Sequence, residues 1–141
     1  MDGCQVKTEE NPCALEFLGY RITDIEYTLN EKFNAKEGDI KLSFKNDILT
    51  NDKKDRFNVR LSLKVNEKEL TTESPYYIKT TIEGIFKLTR ELDKIDDYAQ
   101  ISAVSILFPY LRALVSNITA NANIVPLIIP PMNVPKMLKK E

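Results

Sequence analysis

The chain of 141 residues contains no histidine and no tryptophan, and only two cysteines and four glycines. Without histidine it lacks the commonest general base, the histidine-dependent nucleophilic triads and the commonest metal ligand. The glycines are scattered, so they form no phosphate-binding loop, and no paired carboxylates or cysteine cluster is present. The sequence therefore predicts a protein that is not an enzyme and needs no metal or cofactor.

The chain also has few cysteines and little net charge, and both facts limit the class of protein it can belong to. Cys4 and Cys13 both lie near the start, where a disulfide would close only a short loop, so we expect two free thiols in a reducing cytosol. The net charge is −1, which gives no electrostatic reason to expect nucleic acid. The length predicts one domain. We assign this domain to residues 14–141 and expect residues 1–13 to be a flexible tail.

Charge is almost absent from residues 98–135, where Arg112 is the single charged residue. The last 23 of these positions are long enough to span a membrane, but they include four asparagines and four prolines. Their amides and broken backbone would have no partners in lipid, so we expect no membrane insertion. The opening residues MDGCQVKTEE also lack the basic and apolar regions of a signal peptide.

Alternating apolar residues before this stretch predict four antiparallel strands. Residues 57–65 alternate strictly, residues 40–44 do the same, and residues 76–87 form the last strand. Residues 15–29 alternate too, but their phase slips twice, which predicts two β-bulges. Residues 46–55 and 66–69 are polar and are predicted to be hairpin loops, which gives a meander or a close variant.

The period then changes to that of a helix of about 20 residues, with apolar residues from Ile101 to Ile118 recurring every three to four positions. The opposite face carries small uncharged residues, which predicts close packing against the same helix of a second subunit. Pro109 should kink the helix, and Asn121 or Asn123 should end it. The apolar, proline-rich residues that follow are expected to be extended and to lie over a hydrophobic surface.

Three motifs in series resemble those of the protein-export chaperone SecB: GIF at 84–86, ILFPYLR at 106–112 and P-L-x-x-P-P-M-N at 126–133. RITDIEY at 21–27 and IKLSF at 40–44 match the family's first two strands, so the similarity covers about residues 14–135. It implies an α+β fold with a four-stranded antiparallel sheet and one long helix packed on it. The family's long second helix is expected to be short or absent here, which is a departure from its pattern. The resemblance also implies a homotetramer built as a dimer of dimers in the bacterial cytoplasm.

The resemblance and the uncharged segment together predict the functional residues. An apolar groove for client polypeptide is assigned to Ile40, Leu42, Phe44, Phe86, Phe108, Tyr110, Ile124, Val125, Leu127, Ile129 and Met132. The oligomer interface is assigned to Ser102, Ser105, Pro109, Arg112, Ala113 and Ser116. Asp24 is the candidate contact with the translocase motor SecA.

The function that the resemblance implies is that of an ATP-independent holdase that keeps unfolded preproteins export-competent for the Sec translocase. Family contacts with SecA use acidic residues, and of the matching positions Asp24 is acidic whereas Thr28 and Lys79 are not. The first alternative is therefore a SecB-like chaperone dedicated to one client, such as the antitoxin of a toxin–antitoxin pair. The second is an oligomeric interaction protein whose apolar segment serves assembly alone and binds no unfolded chain.

Overall fold

A computed structural model describes residues 15–34, 38, 40–50, 56–69, 72–88 and 97–130. Four strands precede one helix: β1 (Leu15–Leu29), β2 (Leu42–Thr50), β3 (Arg56–Val65), β4 (Tyr76–Leu88) and α1 (Asp97–Asn121). The strands form one antiparallel sheet in the order β1-β4-β3-β2. Strands β2 to β4 are thus a meander, and β1 pairs with β4 at the far edge. The predicted α+β class, with a four-stranded antiparallel sheet and one long helix, is confirmed. The predicted N-terminal tail lies outside the described residues.

Strand β1 contains both of the predicted bulges. Its register against β4 shifts between Phe17 and Gly19 and again between Ile22 and Asp24. Because each bulge inserts one residue, it returns the apolar residues to the face that looks toward α1. Gly19 adopts a φ of 142°, a backbone conformation that residues with a side chain rarely adopt. Glycine is therefore favoured at the first bulge.

The inner face of the sheet, the face toward α1, holds the core. Alternate residues of the two central strands are buried there, as their sequence pattern predicts: Phe57, Val59, Leu61, Leu63 and Val65 of β3, and Ile78, Thr80, Ile82, Gly84 and Phe86 of β4. The intervening residues are more polar and face outward. Burial of apolar side chains stabilises the fold by about 25 cal/mol per Å² removed from water, and it fixes the register because a one-residue slip would reverse the faces.

Strand β2 differs from its prediction at both ends. It starts at Leu42 and continues to Thr50, so the predicted loop at residues 46–55 is wrong over its first half. The alternation persists through this polar stretch, because Asp47 lies opposite Arg60 and Ile48 lies opposite Val59 on the inner face. An edge strand tolerates polar residues that a central strand excludes, and the composition alone therefore favoured a loop.

Helix α1 lies across the central strands with its buried residues spaced three to four apart: Ala103, Val104, Leu107, Phe108, Leu111, Val115 and Thr119. It approaches the sheet closely over Gly84 of β4, where a β-carbon would stand 2.6 Å from Leu107 Cδ2. The helix continues through Pro109, and the predicted kink remains a prediction. By length and composition the helical residues Gln100–Asn121 would qualify as a membrane span. A core helix passes the same test, and here the helix packs against a sheet.

The helix ends with asparagine in place of the usual glycine. Asn123 adopts a left-handed φ of 62°, and its N–H donates to the carbonyl of Ala120 at 3.1 Å. The next N–H, that of Ile124, donates to the carbonyl of Thr119 at 3.3 Å. These two bonds form a Schellman cap, which ends the helix and turns the chain back along it.

A second asparagine fixes the ends of the three strands β2, β3 and β4. Asn66 is buried with a φ of 66°, and its backbone N–H donates to the carbonyl of Lys41 at 2.8 Å. Its side-chain oxygen accepts from the Lys41 N–H at 2.9 Å, and its side-chain nitrogen donates to the carbonyl of Tyr76 at 2.8 Å. One side chain thus joins the chain before β2 to the start of β4.

Candidate functional site

The segment after the helix lies against the core rather than in solvent. Residues 124–130, here called the strap, run back along α1, because Leu127 meets Ser116 and Thr119 while Ile129 meets Arg112. Ile124, Leu127 and Ile129 pack on the hydrophobic core, and Ile129 is only 1% exposed. The prediction that these residues lie over a hydrophobic surface is confirmed.

Three side chains on one stripe of α1 bind the backbone of the strap. Thr119 Oγ1 accepts from the Leu127 N–H at 2.8 Å, and Ser116 Oγ donates to the Leu127 carbonyl at 2.9 Å. One turn earlier, Arg112 Nε donates to the Ile129 carbonyl at 2.7 Å. The same hydroxyl of Thr119 donates back to the helix, toward the carbonyls of Val115 and Ser116, and this contact orients its oxygen. The stripe therefore recognises peptide groups rather than side chains.

Arg112, the one charge of the long uncharged segment, also covers an aromatic ring. Its guanidinium carbon lies 5.8 Å from the centroid of Phe108, within the range of a cation–π contact. Phe108 in turn meets Phe44 of β2 edge-on, with ring centroids 5.8 Å apart. Arg112 thus binds a carbonyl and an aromatic ring of its own chain. Its predicted role between subunits stays a prediction.

The predicted groove residues divide by burial. Phe44, Phe86, Phe108 and Ile129 are buried in the core of the single chain. Leu42, Ile124 and Leu127 are half-buried, whereas Ile40, Tyr110 and Val125 are exposed. Met132 lies outside the described residues. The buried aromatic residues belong to the core of the single chain and would form the floor of the predicted groove, whose role stays a prediction.

The strap presents strong apolar exposure on its outer side. Val125 is 86% exposed and Ile128 is 73% exposed, although both belong to a segment that is fixed to the helix. Ile128 is not among the residues predicted for the groove. Its position between the inward-facing Leu127 and Ile129 accounts for the exposure, because alternate side chains of an extended chain point to opposite sides.

A second apolar surface, which the sequence pattern did not predict, lies on the inner face of β1. Four residues there are 43–50% exposed: Tyr20, Ile22, Ile25 and Leu29. A helix about 10–12 Å wide cannot cover four strands spaced about 4.8 Å apart. Because the sequence predicts four strands and one helix, comparing their widths could have predicted that part of this face is uncovered. The rings of Tyr20 and Tyr110 lie 4.5 Å apart and are tilted by 35°, and this contact marks where the cover of α1 ends.

The residues predicted for the oligomer interface also separate into two groups. Ser105, Pro109 and Ala113 are exposed on α1 and Ser102 is half-buried. Arg112 and Ser116 instead bind the strap of their own chain. The exposed group is free to meet another molecule, and its interface role stays a prediction.

The outer face of the sheet centres on a buried carboxylate. The side chain of Glu83 is 1% exposed, and it accepts bonds from Arg60 at 2.8 Å, Asn58 at 2.6 Å and Arg21 at 3.2 Å. Burial by itself raises the pKa of Glu83. The bonds from Arg60 and Asn58 and the charges of both arginines outweigh it, so that the net pKa lies below the ordinary value of 4.5. This cluster joins β1, β4 and β3.

Asp24, the candidate SecA contact, lies on β1 beside a cation. Its carboxylate is 3.9 Å from Lys79 Nζ, and both side chains are substantially exposed. An exposed pair of this kind contributes little energy, but it balances the local charge. Among the described residues, no group of three or more Cys, Asp or Glu side chains could hold a metal ion.

The geometry defines an α+β protein with one helix, a strap fixed to it, and apolar surface that the single chain leaves uncovered. A family model described as "Preprotein translocase subunit SecB" matches residues 26–141. The chain belongs to the SecB family. It is 39% identical over 130 residues to the uncharacterized protein MJ0357 of Methanocaldococcus jannaschii, covering 89% of this chain and 83% of that protein.

Two solved structures share the fold. One is the SecB-like chaperone Rv1957 of Mycobacterium tuberculosis, in complex with a peptide from the HigA1 antitoxin. Its TM-score is 0.69 at 16% identity, over 84% of this chain and 91% of that chain. The other is a protein of unknown function from Streptococcus agalactiae, with a TM-score of 0.50 at 10% identity, over 83% of this chain and 97% of that chain. At these identities the similarity establishes the fold alone.

Proposed function

We propose that the protein is an ATP-independent chaperone that holds unfolded polypeptides against the apolar surface around the strap. The observation that carries the proposal is the exposure of Val125 and Ile128 on a segment fixed by hydrogen bonds. Large apolar side chains in a fixed position offer contact area without a large loss of chain entropy on binding. Membership of the SecB family supports the same activity.

Binding on such a surface would be broad in specificity. Apolar contact contributes about 25 cal/mol per Å² whatever the client sequence, whereas directional groups would select one ligand. We include the half-buried Leu42 and the exposed Ile40 on the β2 side in this surface. Tyr110, which contacts Tyr20 of β1 across the helix, is a separate candidate contact. An extended client would place alternate side chains on this surface.

The assembly we propose is a homotetramer, a dimer of dimers. The uncovered inner face of β1 and the exposed small residues of α1 are two separate surfaces, which a dimer of dimers requires. Sedimentation equilibrium measures the mass directly. A monomer at all concentrations would contradict the proposed assembly and leave these surfaces to clients.

The test of function is light scattering from a diluted, chemically unfolded, aggregation-prone protein, with and without an excess of this chain and without nucleotide. We expect suppressed aggregation that is lost in Leu42→Asp and in Val125→Asp. Asn117→Asp is the matched control, because it adds the same charge at an exposed position of α1. Each variant must keep the wild-type mass. Unchanged scattering from a well-assembled wild type would favour the interaction protein that uses its apolar surface for assembly alone.

Two narrower roles follow from the same activity. Delivery of preproteins to SecA would use the outer face of the sheet, and Asp24 is its candidate contact. Service to one client, such as an antitoxin, would need no such contact, and Lys79 beside Asp24 weakens the acidic character of this face. Asp24→Lys separates the two: it should abolish SecA binding in the first case and leave client protection unchanged in both.

A further inference from the structure

The strap contacts α1 in the way that a groove contacts a bound peptide. Its only backbone-to-backbone hydrogen bond among the described residues is that of Ile124, at the helix cap. Beyond that residue its backbone is bound by the side chains of Arg112, Ser116 and Thr119. These three donors and acceptors bind peptide groups, which every polypeptide possesses.

The side chains of the strap follow the same scheme. Leu127 and Ile129 point inward and Ile128, between them, points to solvent. Ile129 enters the cluster that contains Phe44 and Phe108, the floor of the predicted groove. Two aliphatic side chains spaced two residues apart are therefore bound through alternate positions, as in the recognition of an extended chain.

Prolines keep the strap from joining the sheet or the helix. Pro126 and Pro130 have no N–H, so this segment cannot form the continuous backbone ladder that would fix it permanently. Residues 127–129 are held on α1 by three side-chain hydrogen bonds and by the burial of two aliphatic side chains. Another extended chain can replace each of these contacts one for one.

We propose that residues 127–129 are an internal occupant of the client site, and that clients bind by displacing them. The client class is an extended segment with two aliphatic side chains two residues apart, its backbone bound by Arg112, Ser116 and Thr119. This inference rests on the proposed function and adds to it the recognition pattern and a built-in competitor. Val125 lies outside the displaced residues and keeps its place in the client surface, whereas Ile128 leaves together with Leu127 and Ile129. In the rival arrangement, the strap is a permanent wall of the groove.

The decisive variants lie in the strap, because a change on the helix side would weaken occupant and client together. We expect Ile129→Ala and the milder Leu127→Ala to bind reduced, carboxymethylated α-lactalbumin about three- to tenfold more tightly than wild type, because the competitor is weakened. A permanent wall predicts the opposite, weaker binding. Asn117→Ala, on the exposed face of α1, is the control and should bind as wild type does.

A second measurement keeps the inference separate from the holdase proposal. A labelled peptide with the sequence of residues 123–131 should bind Ile129→Ala in trans and bind wild type at least fivefold more weakly. Adding Ser116→Ala or Arg112→Gln to Ile129→Ala should weaken binding of the peptide about two- to tenfold, because each change removes one hydrogen bond. In wild type, client should also speed hydrogen exchange of the Leu127 N–H.

The outcomes are distinct. Peptide binding to Ile129→Ala, with no binding of unfolded protein by any variant, would refute the holdase and sustain the occupied site. Absence of peptide binding to a folded Ile129→Ala would overturn the inference, and so would weaker client binding by both strap variants. If Ile129→Ala fails to fold, Leu127→Ala carries both measurements, since its side chain is only half-buried.

Discussion

Leu107 lies so close above Gly84 that a β-carbon on the glycine would stand 2.6 Å from Leu107 Cδ2 and 3.1 Å from its Cδ1. A β-carbon at position 84 would therefore require the side chains of Leu107 and of Phe86, whose Cε2 would be 2.8 Å away, to shift. The GIF motif thus begins with a packing residue, which sets how closely α1 approaches the sheet.

Gly84→Ala should lower the free energy of unfolding by about 1–3 kcal/mol, because Leu107 or the helix must move to admit the methyl group. Urea denaturation measures the loss. The matched test is the double variant with Leu107→Ala, which removes both leucine methyl groups and leaves Phe86 Cε2, at 2.8 Å, as the remaining close contact. Its destabilisation should be clearly less than the sum of the two single changes. Strict additivity would show that the two residues do not constrain each other.

Glu83→Gln should lower stability by about 1–3 kcal/mol at pH 7, because the bonds from Arg60 and Asn58 lose a charged acceptor. The folded-state pKa of Glu83 lies below its ordinary value of 4.5. Its carboxylate contribution is therefore complete above pH 4.5 and is lost as the pH falls through the folded pKa. The difference between wild type and Glu83→Gln should shrink in that acid range.

Glu26→Gln is the control for this pH series. Glu26 pairs with Lys68 at 3.6 Å on the surface, where an ion pair contributes about 0–1 kcal/mol. Denaturation midpoints measured from pH 7 down to pH 3 compare the two variants. An equal, pH-independent effect of both changes would contradict the role given to the buried carboxylate.

Asn66→Ala should destabilise the fold by about 2–4 kcal/mol. It removes two side-chain hydrogen bonds and leaves a β-carbon residue at a φ of 66°. Asn66→Gly removes the same bonds but accommodates the backbone, so it should cost about 1 kcal/mol less. Thermal unfolding of the pair separates the hydrogen bonds from the backbone conformation. If glycine is the worse replacement, the left-handed conformation is not the constraint.

Thr80→Val should raise stability by about 1 kcal/mol. Among the described residues the buried Thr80 Oγ1 has no hydrogen-bond partner, so valine removes an uncompensated polar group without changing the shape. Its neighbour Thr81 is the matched control, because Thr81 Oγ1 lies 2.8 Å from Ser62 Oγ on the opposite face. Thr81→Val should destabilise. The same sign for both changes in calorimetry would refute this account.

Much of the fold could be predicted from the sequence, because apolar periodicity responds directly to burial. Strands β3 and β4 follow it throughout, and even the two bulges of β1 are visible as slips of phase near Gly19 and Thr23. The end of β2 could not be predicted in this way. Its polar residues are held by pairing with β3, a long-range contact that leaves no periodic apolar signal.

The site was harder to predict than the fold. The apolar composition of the strap indicates that it covers something, but it does not show which side chains face inward. Ser116 appeared on a stripe of small residues and Thr119 had no distinctive signal, yet both bind Leu127. Hydrogen bonds to backbone depend on where an irregular segment runs. That path is set by the left-handed turn at Asn123 and the packing of Ile129.

The prolines of the strap have a consequence for solubility. Leu127 directs its N–H and carbonyl toward the helix, so the neighbouring positions 126, 128 and 130 direct theirs away from it. Two of these three positions are proline and offer no donor. An exposed apolar segment would otherwise be a template for cross-β growth, and fibril seeding needs a continuous row of donors. The two prolines therefore make the outward edge of the strap a poor template for cross-β growth.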